Sequence, residues 1–206
     1  MNALTDTHIT SALNSLLAGS PVIFPTDTVY GIGVAVGKAK TPQILYDIKG
    51  RDHGSPIAWL VGNVDDLTRY GQTPPPFALT LARAFWPGPL TLVVKAASSV
   101  PEAFCAPDHT IALRMPDDEV ALELIRRVGS PLATSSANVS GQEPPKAFEN
   151  ISQELLARLK ACEGTCLNDS LTKSGIASTV IDCTGTSPAM IRAGTLSMND
   201  IAHVLV

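Results

Sequence analysis

The sequence predicts one α/β domain built around a mixed β-sheet. Its 206 residues suffice for a single sizeable core and are too few for two comfortable ones. Apolar residues make up 45% and charged residues 17%, which is typical of a globular protein rather than a disordered one. Short apolar runs alternate with segments of helical periodicity, and this alternation indicates helices packed on a mixed sheet.

The predicted helices show apolar residues at helical spacing, a boundary residue, or both. The first has an apolar stripe that includes Leu17, and Gly19 follows it as a stop. Thr41 is the expected N-cap of the second, with Pro42 at its first position. Helices are predicted over residues 7–17, 41–49, 77–85, 119–128, 152–160 and 197–205.

The predicted strands are short apolar or β-branched runs bounded by turn residues. They are too short to be independent helices, and most are followed directly by a polar segment. Strands are predicted over residues 21–24, 57–61, 91–94, 110–113, 131–134 and 178–183. The pattern does not fix the order of the strands in the sheet.

Composition limits the classes of function. The formal charge is −4, whereas a protein that binds nucleic acid over a broad surface normally carries many Lys and Arg residues, so any basic site must be local. The N-terminal segment lacks the features of a secretory signal, and no apolar run approaches the ~20 residues that span a bilayer. The four cysteines match neither a zinc site nor a disulfide scaffold. We therefore expect a cytoplasmic protein with reduced thiols and no membrane association.

Several familiar catalytic or nucleotide motifs are incomplete or absent. Residues 31–37 carry three glycines, but Val36 stands where a dinucleotide fingerprint needs glycine, so this interpretation is rejected. No P-loop and no HExxH occur. Residues 170–173 match SxxK, but the partner motifs SDN and KTG are missing, so a polar loop is expected there.

What remains is a set of polar segments that follow strands or end a helix. Each has a structural explanation by itself: turn chemistry for residues 25–31, and a cationic helix C-terminus for Lys49 and Arg51. Arg114 ends an apolar strand, where its charge would be costly unless it meets an anion. Together with residues 135–141, 178–182 and 191–194, these segments predict an anion pocket in an acidic protein.

Seven ordered motifs resemble those of the YrdC-like family, the TsaC-type threonylcarbamoyl-AMP synthases. They are PTDTVYGIG, IKGR followed by Pro56, WPGPLTLV, IALRMP, SSANVSG, GIASTVID and IRAG, and they run from Pro25 to Gly194. The resemblance implies a twisted mixed sheet, flanked by helices, around a positively charged concave cavity. It also implies one YrdC-like domain over residues 1–206, without the extra C-terminal domain of some members.

The implied reaction joins L-threonine, bicarbonate or CO2 and ATP to give threonylcarbamoyl-AMP and pyrophosphate, the first step towards threonylcarbamoyladenosine in tRNA. By resemblance, the residues expected to contact threonine are Thr28, Arg114, Ser136 and Ser178. Those expected to hold ATP are Lys49, Arg51, Ser55, Thr110, Asn138, Lys146 and Arg192, with Lys49 and Arg51 as catalytic cations that neutralise phosphate. Mg2+ is expected to accompany ATP and to need few dedicated protein ligands. The implied partners are a TsaD-type transferase and, weakly, tRNA.

Three residues depart from the family pattern. Asp52 stands where proline is common, Leu60 where a histidine is common, and Ala177 where many members have glutamate. These changes affect the expected fine geometry and turnover. Two alternatives stay open: an RNA-binding paralogue with the same fold and no synthase activity, and a carbamoyl-adenylate enzyme of hydrogenase maturation. The acidic charge disfavours the first, and the absence of zinc-finger or acylphosphatase-like segments disfavours the second.

Overall fold

A nine-stranded mixed sheet forms the centre of the molecule in the computed structural model, which describes residues 6–51, 57–169 and 174–205. The strands are β1 (Val22–Phe24), β2 (Gly31–Ala35), β3 (Ala58–Leu60), β4 (Leu90–Lys95), β5 (Thr110–Arg114), β6 (Leu132–Ser136), β7 (Thr165–Cys166), β8 (Thr179–Asp182) and β9 (Ala189–Arg192). Their order across the sheet is β7-β1-β2-β6-β3-β5-β4-β8-β9. Pairs β1–β7, β3–β5 and β4–β8 are parallel and the other five are antiparallel, so the predicted mixed sheet is confirmed.

Seven α-helices accompany the sheet in the described ranges. They are α1 (Asp6–Leu17), α2 (Gln43–Lys49), α3 (Asp66–Tyr70), α4 (Pro76–Phe85), α5 (Glu119–Val128), α6 (Gln153–Ala161) and α7 (Met198–Val204), with 3-10 turns at Glu102–Phe104 and Phe148–Asn150. No helix in the described parts of the chain is long and apolar enough to cross a membrane. That no further C-terminal domain follows stays a prediction.

The predicted helices and strands are all present, with boundaries that agree to within two residues. Helix α2 begins at Gln43 rather than Thr41, although the Thr41 hydroxyl still accepts a hydrogen bond from the Gln43 amide at 3.3 Å. Ser197 caps α7 as predicted, accepting from the Asp200 amide. Leu17 is 47% exposed, so its predicted burial is wrong: it lies on the last turn of α1, turned away from the sheet.

Strand β2 is the main element that the pattern missed, because glycine occupies two of its five positions. A Cβ at Gly31 or Gly33 would crowd the Thr134 side chain on neighbouring β6, so only glycine lets the two strands pair at this register. The segment is a straight strand and not a phosphate-binding turn, which agrees with the rejection of a dinucleotide site there. Residues 170–173, the SxxK segment, lie outside the described residues.

One face of the sheet carries large apolar side chains under α2, α4, α6 and α7. Trp59, Leu92 and Leu113 are fully buried there, since alternate residues of a strand point to the same face. Helices α1 and α5 pack against the opposite face at its β1–β2–β6 end, over Phe24 and Leu132. Farther along that face, the strands carry small and polar residues instead, and this leaves a concavity.

Gly194 follows β9 where the chain passes close to β8. A Cβ at this position would overlap the carbonyl oxygen of Ala177 and the amide nitrogen of Thr179, both backbone atoms that cannot yield easily. At Gly185, in the exposed turn before β9, the nearest atom to an added Cβ is the Ser187 carbonyl oxygen, 3.9 Å away.

We predict that Gly194→Ala lowers the free energy of unfolding by about 1–3 kcal/mol through overpacking. The matched Gly185→Ala variant should stay within about 0.5 kcal/mol of wild type. Urea denaturation followed by circular dichroism measures both. Equal stability of the two variants would contradict the close approach at Gly194.

Candidate functional site

A cavity of about 830 Å³ lies over the half of the sheet that α1 and α5 do not cover. Its floor is made of alternate residues from neighbouring strands, and its side wall includes residues 103–107, before β5. Ala58 and Ala112 keep the floor low, because their side chains are short. Other strand residues on the floor or its margins are Gly31, Leu60, Thr91, Val93, Thr110, Arg114, Thr134, Ser136, Val180, Asp182, Ile191 and Arg192.

The structure brings the four predicted cations together at this cavity. Lys49 and Arg51 come from the C-terminal end of α2, Arg114 from β5 and Arg192 from β9, and all four line the cavity. The carboxylates of Asp108 and Asp182 also contribute to its wall. That the cavity as a whole is positively charged stays a prediction.

Arg114 is buried at the end of β5, and each nitrogen of its guanidinium is used. Nε donates to the Gly88 carbonyl oxygen at 3.0 Å, Nη1 to Thr28 Oγ1 at 2.8 Å, and Nη2 pairs with Asp27 Oδ1 at 2.5 Å. Burial lowers the pKa of Arg114, and the Asp27 carboxylate opposes that shift. The anion expected beside Arg114 is thus supplied in part by the protein. Both Nη atoms carry a second hydrogen that can point to a ligand.

The turn before β2 holds Thr28 in place beside this guanidinium. Thr26 Oγ1 donates to the Val29 carbonyl oxygen at 2.7 Å and lies 3.0 Å from Thr28 Oγ1. Both threonines are buried and line the cavity. A hydroxyl that contacts both Arg114 and a neighbouring hydroxyl is fixed in direction, so it presents a defined polar surface to a ligand.

Ser178, just before β8, holds the guanidinium of Arg192. Arg192 Nε and Nη2 donate to the Ser178 carbonyl oxygen at 3.1 and 2.9 Å, and Nη2 also contacts Ser178 Oγ at 3.1 Å. Ser178 Oγ in turn lies 2.8 Å from Thr91 Oγ1. The pKa of Arg192 is lowered, mainly because its guanidinium is partly buried and secondarily because of the nearby charge of Arg51.

Arg51 and Arg192 are therefore like charges in one cavity. Arg51 Nη1 makes a long contact of 3.4 Å with Ser135 Oγ. Within residues 6–51, 57–169 and 174–205, neither arginine forms an ion pair with a carboxylate, whereas Arg114 does. Two repelling cations that have no carboxylate partner in the described part of the chain form a site that an anion would stabilise.

Lys49 lines the same cavity but is nearly inaccessible to solvent, with 3% of its surface exposed. Its ammonium donates to the carbonyl oxygens of Ser136 and Asn138, the latter at 2.7 Å, and contacts Asn138 Oδ1 at 3.3 Å. Burial, and secondarily the charge of Arg51, lower the pKa of Lys49 to about 8. The Lys49 ammonium therefore donates its hydrogen bonds to Ser136, at the end of β6, and to Asn138 in the loop that follows.

The other predicted site residues fall into three groups. Thr110 and Asn138 line the cavity, with Thr110 Oγ1 donating to Asp108 Oδ1 at 2.7 Å, which is the main cause of the lowered pKa of Asp108. Lys146 is exposed, packs over Gly175 and is not among the residues that line the cavity. Ser55 lies outside the described residues, as does Asp52.

The two remaining departures from the family pattern both line the cavity. Leu60 is paired with Arg114 in the parallel β3–β5 register, so an apolar side chain borders the guanidinium. Ala177 directly precedes Ser178 and adds no charge. A histidine at position 60 and a glutamate at position 177 would each have made its own part of the cavity border polar.

Sequence reasoning did not assign individual roles to two residues that the geometry makes prominent. Asp27 neutralises Arg114, and Thr91 supports Ser178. Asp27 stood in a polar turn that the pattern did single out, so a search for a counterion to Arg114 could have found it. Thr91 is buried inside a largely apolar strand, and only the alternation of faces along that strand separates it from the core residues Leu90 and Leu92.

Comparisons with known proteins find relatives in both sequence and structure. The family model described as "Telomere recombination", which represents Sua5, YciO and YrdC proteins, matches residues 14–194. A Mycobacterium tuberculosis (strain ATCC 25618 / H37Rv) relative, provisionally named as a threonylcarbamoyl-AMP synthase, is 39% identical over 197 residues, covering 96% of this chain and 88% of its own. The threonylcarbamoyl-AMP synthase of Pyrococcus abyssi is 34% identical over 188 residues, covering 91% of this chain.

The structure of P. abyssi Sua5 complexed with L-threonine matches 99% of this chain with a TM-score of 0.88 at 32% identity. This chain covers 54% of the length of the P. abyssi synthase and 59% of the chain in that crystal structure, so it spans little more than half of that protein. The sheet, the order of the motifs and the extent of the match lead to one conclusion: the chain belongs to the Sua5/YciO/YrdC family.

Proposed function

We propose that this chain is an L-threonylcarbamoyladenylate synthase, which makes threonylcarbamoyl-AMP and pyrophosphate from L-threonine, bicarbonate or CO2, and ATP. One observation carries the proposal: Arg51 and Arg192, which lack carboxylate partners in the described residues, share a cavity with Arg114 and its surrounding hydroxyls. Arg51 and Arg192 suit a polyphosphate, and Arg114 with its hydroxyls suits an amino-acid carboxylate. A cavity of about 830 Å³ is within the usual range for small-molecule and cofactor sites.

Arg114 is the proposed partner of the threonine carboxylate. Its fixed guanidinium can offer two parallel N–H groups, which match a carboxylate in a way that a lysine ammonium does not. Thr28, Ser136 and Ser178 are the proposed contacts for the remaining polar groups of the amino acid, and Leu60 faces its methyl group. The L-threonine complex of P. abyssi Sua5 supports this assignment by relationship.

Arg51 and Arg192 are the proposed phosphate ligands, with Thr110 and Asn138 on the nucleotide side. Lys49, Lys146 and Ser55 complete the ATP set on the strength of the family resemblance. Among the described residues there is no group of three His, Cys, Asp or Glu side chains that could hold a metal ion. We propose that Mg2+ arrives as MgATP and keeps most of its ligands from phosphate and water.

The proposed chemistry needs no covalent nucleophile in the protein. The threonine amine adds to the carbon of CO2 and releases a proton, which gives a carbamate. A carbamate oxygen then attacks the α-phosphorus of ATP, and the bond from that phosphorus to the bridging oxygen breaks, so pyrophosphate leaves with the electron pair. The protein contributes by positioning two anionic substrates and by stabilising charge on the phosphoryl group.

The proposed function also implies which kind of enzyme uses the product, threonylcarbamoyl-AMP. A carbamoyl-adenylate is a reactive mixed anhydride, so an acceptor must take it quickly. We assign that step to a TsaD-type threonylcarbamoyl transferase acting on tRNA in the cytoplasm, with at most weak contact between tRNA and this acidic chain. A non-catalytic RNA-binding protein with the same fold remains the alternative. This alternative does not explain why Arg51 and Arg192, which have no carboxylate partner in the described residues, lie inside a cavity and not on an open surface.

Arg51→Ala should reduce threonine-dependent pyrophosphate release by about 100-fold or more, since removal of one preorganised donor to a charged transition state has an effect of that order. Arg83→Ala, at an exposed position on α4 outside the cavity, is the matched control and should keep wild-type activity. A coupled pyrophosphate assay with ATP, L-threonine and bicarbonate measures both variants. Wild-type protein that binds RNA and releases no pyrophosphate would establish the alternative.

Arg114→Lys should raise the KM for L-threonine about 10- to 100-fold, because a lysine keeps the charge but loses the paired N–H geometry. The KM for ATP should change less than threefold, since the proposed phosphate ligands are Arg51 and Arg192 and the charge at position 114 is kept. Steady-state kinetics with each substrate varied in turn separates the two constants. A rise in the KM for ATP with an unchanged KM for threonine would reverse the proposed orientation of the substrates.

A further inference from the structure

We infer that Lys49 is a positioning residue that fixes one wall of the nucleotide site and does not itself neutralise phosphate. The wall is the loop of residues 136–142, which follows β6 and which we call the 136–142 loop. The inference refines the proposed function, because it separates the role of Lys49 from that of Arg51 two residues away.

The ammonium of Lys49 has no donor left for a ligand. A protonated lysine offers three N–H groups, and three acceptors surround this one: the carbonyl oxygens of Ser136 and Asn138, and Asn138 Oδ1. A phosphate could bind Nζ only by displacing one of them. Displacement would leave a buried carbonyl oxygen or amide oxygen without a donor, which is costly.

The backbone of Lys49 holds the same loop from a second direction. The Ser140 amide donates to the Lys49 carbonyl oxygen at 2.8 Å. Inside the loop, Asn138 Nδ2 donates to the carbonyl oxygens of Val139 at 3.0 Å and Gln142 at 2.8 Å. Lys49 and Asn138 thus close the loop into one bonded unit, and Ser136, Asn138 and Ser140 of that unit line the cavity.

The end of α2 explains why Lys49 and Arg51 act differently. Gly50 has φ 59° and ψ 42°, a left-handed conformation that ends the helix and separates the directions of its two neighbours. Arg158 Nη1 donates to the Ile48 carbonyl oxygen at 2.9 Å and anchors this last turn. Lys49 is consequently directed to the loop, while Arg51 stays half-buried at the cavity with its long contact to Ser135.

Binding of AMP, ADP and ATP separates a positioning role from phosphate neutralisation. Lys49→Met should weaken all three nucleotides by the same factor, about tenfold, because the wall of the site is disturbed in each case. Arg51→Met should weaken AMP least and ATP most, because the missing charge matters more as phosphates are added. Lys38→Met, on the surface outside the cavity, should bind all three as wild type does.

Isothermal titration calorimetry measures the three affinities for each protein. A loss in Lys49→Met that grows from AMP to ATP in parallel with that of Arg51→Met would overturn the inference. If the wild-type protein binds none of the three nucleotides, the proposed function fails. The inference about Lys49 is then tested by hydrogen exchange, which needs no nucleotide.

Hydrogen exchange tests the order of the 136–142 loop in the absence of ligand. Its first measurement uses the wild-type protein, so it does not depend on the folding of a variant. In the wild-type protein free of nucleotide, the Ser140 amide should exchange at least tenfold more slowly than an unstructured amide. The reason is that this amide already donates a hydrogen bond to the backbone carbonyl oxygen of Lys49. In Lys49→Met, if folded, protection should fall across the 136–142 loop and stay unchanged in β4. Exchange of the wild-type Ser140 amide at the unprotected rate would overturn the inference.

Discussion

Repulsion between cations that share one cavity is the constraint on which the site depends. Strands β5 and β9 and the end of α2 place four positive side chains around the same space in a protein whose formal charge is −4. Each is held by a different partner: Arg114 by a carboxylate, Lys49 by loop carbonyls, and Arg192 by a serine. Arg51 is the least restrained of the four, with one long contact to a hydroxyl in the described residues. The unfavourable charge that remains is concentrated on Arg51 and Arg192, where an anionic ligand would relieve it.

The alternation of side chains along the strands makes this arrangement possible. One face of β3, β4, β5 and β8 is apolar and packs under helices, so these strands are already anchored in a hydrophobic core on that side. The opposite face is then free to carry Ala, Thr and Ser, which leave room for a ligand, and arginine at two strand ends. A large side chain at Ala58 or Ala112 would fill the floor, so the small residues are as necessary to the site as the charged ones.

Much of the fold could be predicted, because helix and strand periods depend on neighbours in sequence. The short elements α3, β7 and β9 were not predicted. Two further exceptions have local causes: β2 consists of glycines and aliphatic residues that give no alternating pattern, and Leu17 falls at the edge of an amphipathic stripe. The strand order follows from long-range pairing, such as β2 with β6, that no local pattern encodes.

The site was predictable as a collection of motifs but not as a set of contacts. That Arg114 needs an anion follows from its place after an apolar strand, yet its partner Asp27 lies 87 residues away in sequence. For Lys49 the missing information is of another kind. Its acceptors are mostly backbone carbonyls of a distant loop, and every residue has a backbone carbonyl, so side-chain identity cannot reveal them. The family resemblance places Lys49 at the ATP site, and the structure shows which atoms its ammonium contacts.

A crystal structure of the wild-type protein with L-threonine and a non-hydrolysable ATP analogue tests the central claim most directly. The polyphosphate should lie between the guanidinium groups of Arg51 and Arg192, with the threonine carboxylate on Arg114 and the amine directed towards the α-phosphorus. Nucleotide bound outside this cavity, or threonine bound away from Arg114 while Arg51 and Arg192 contact only solvent, would contradict it.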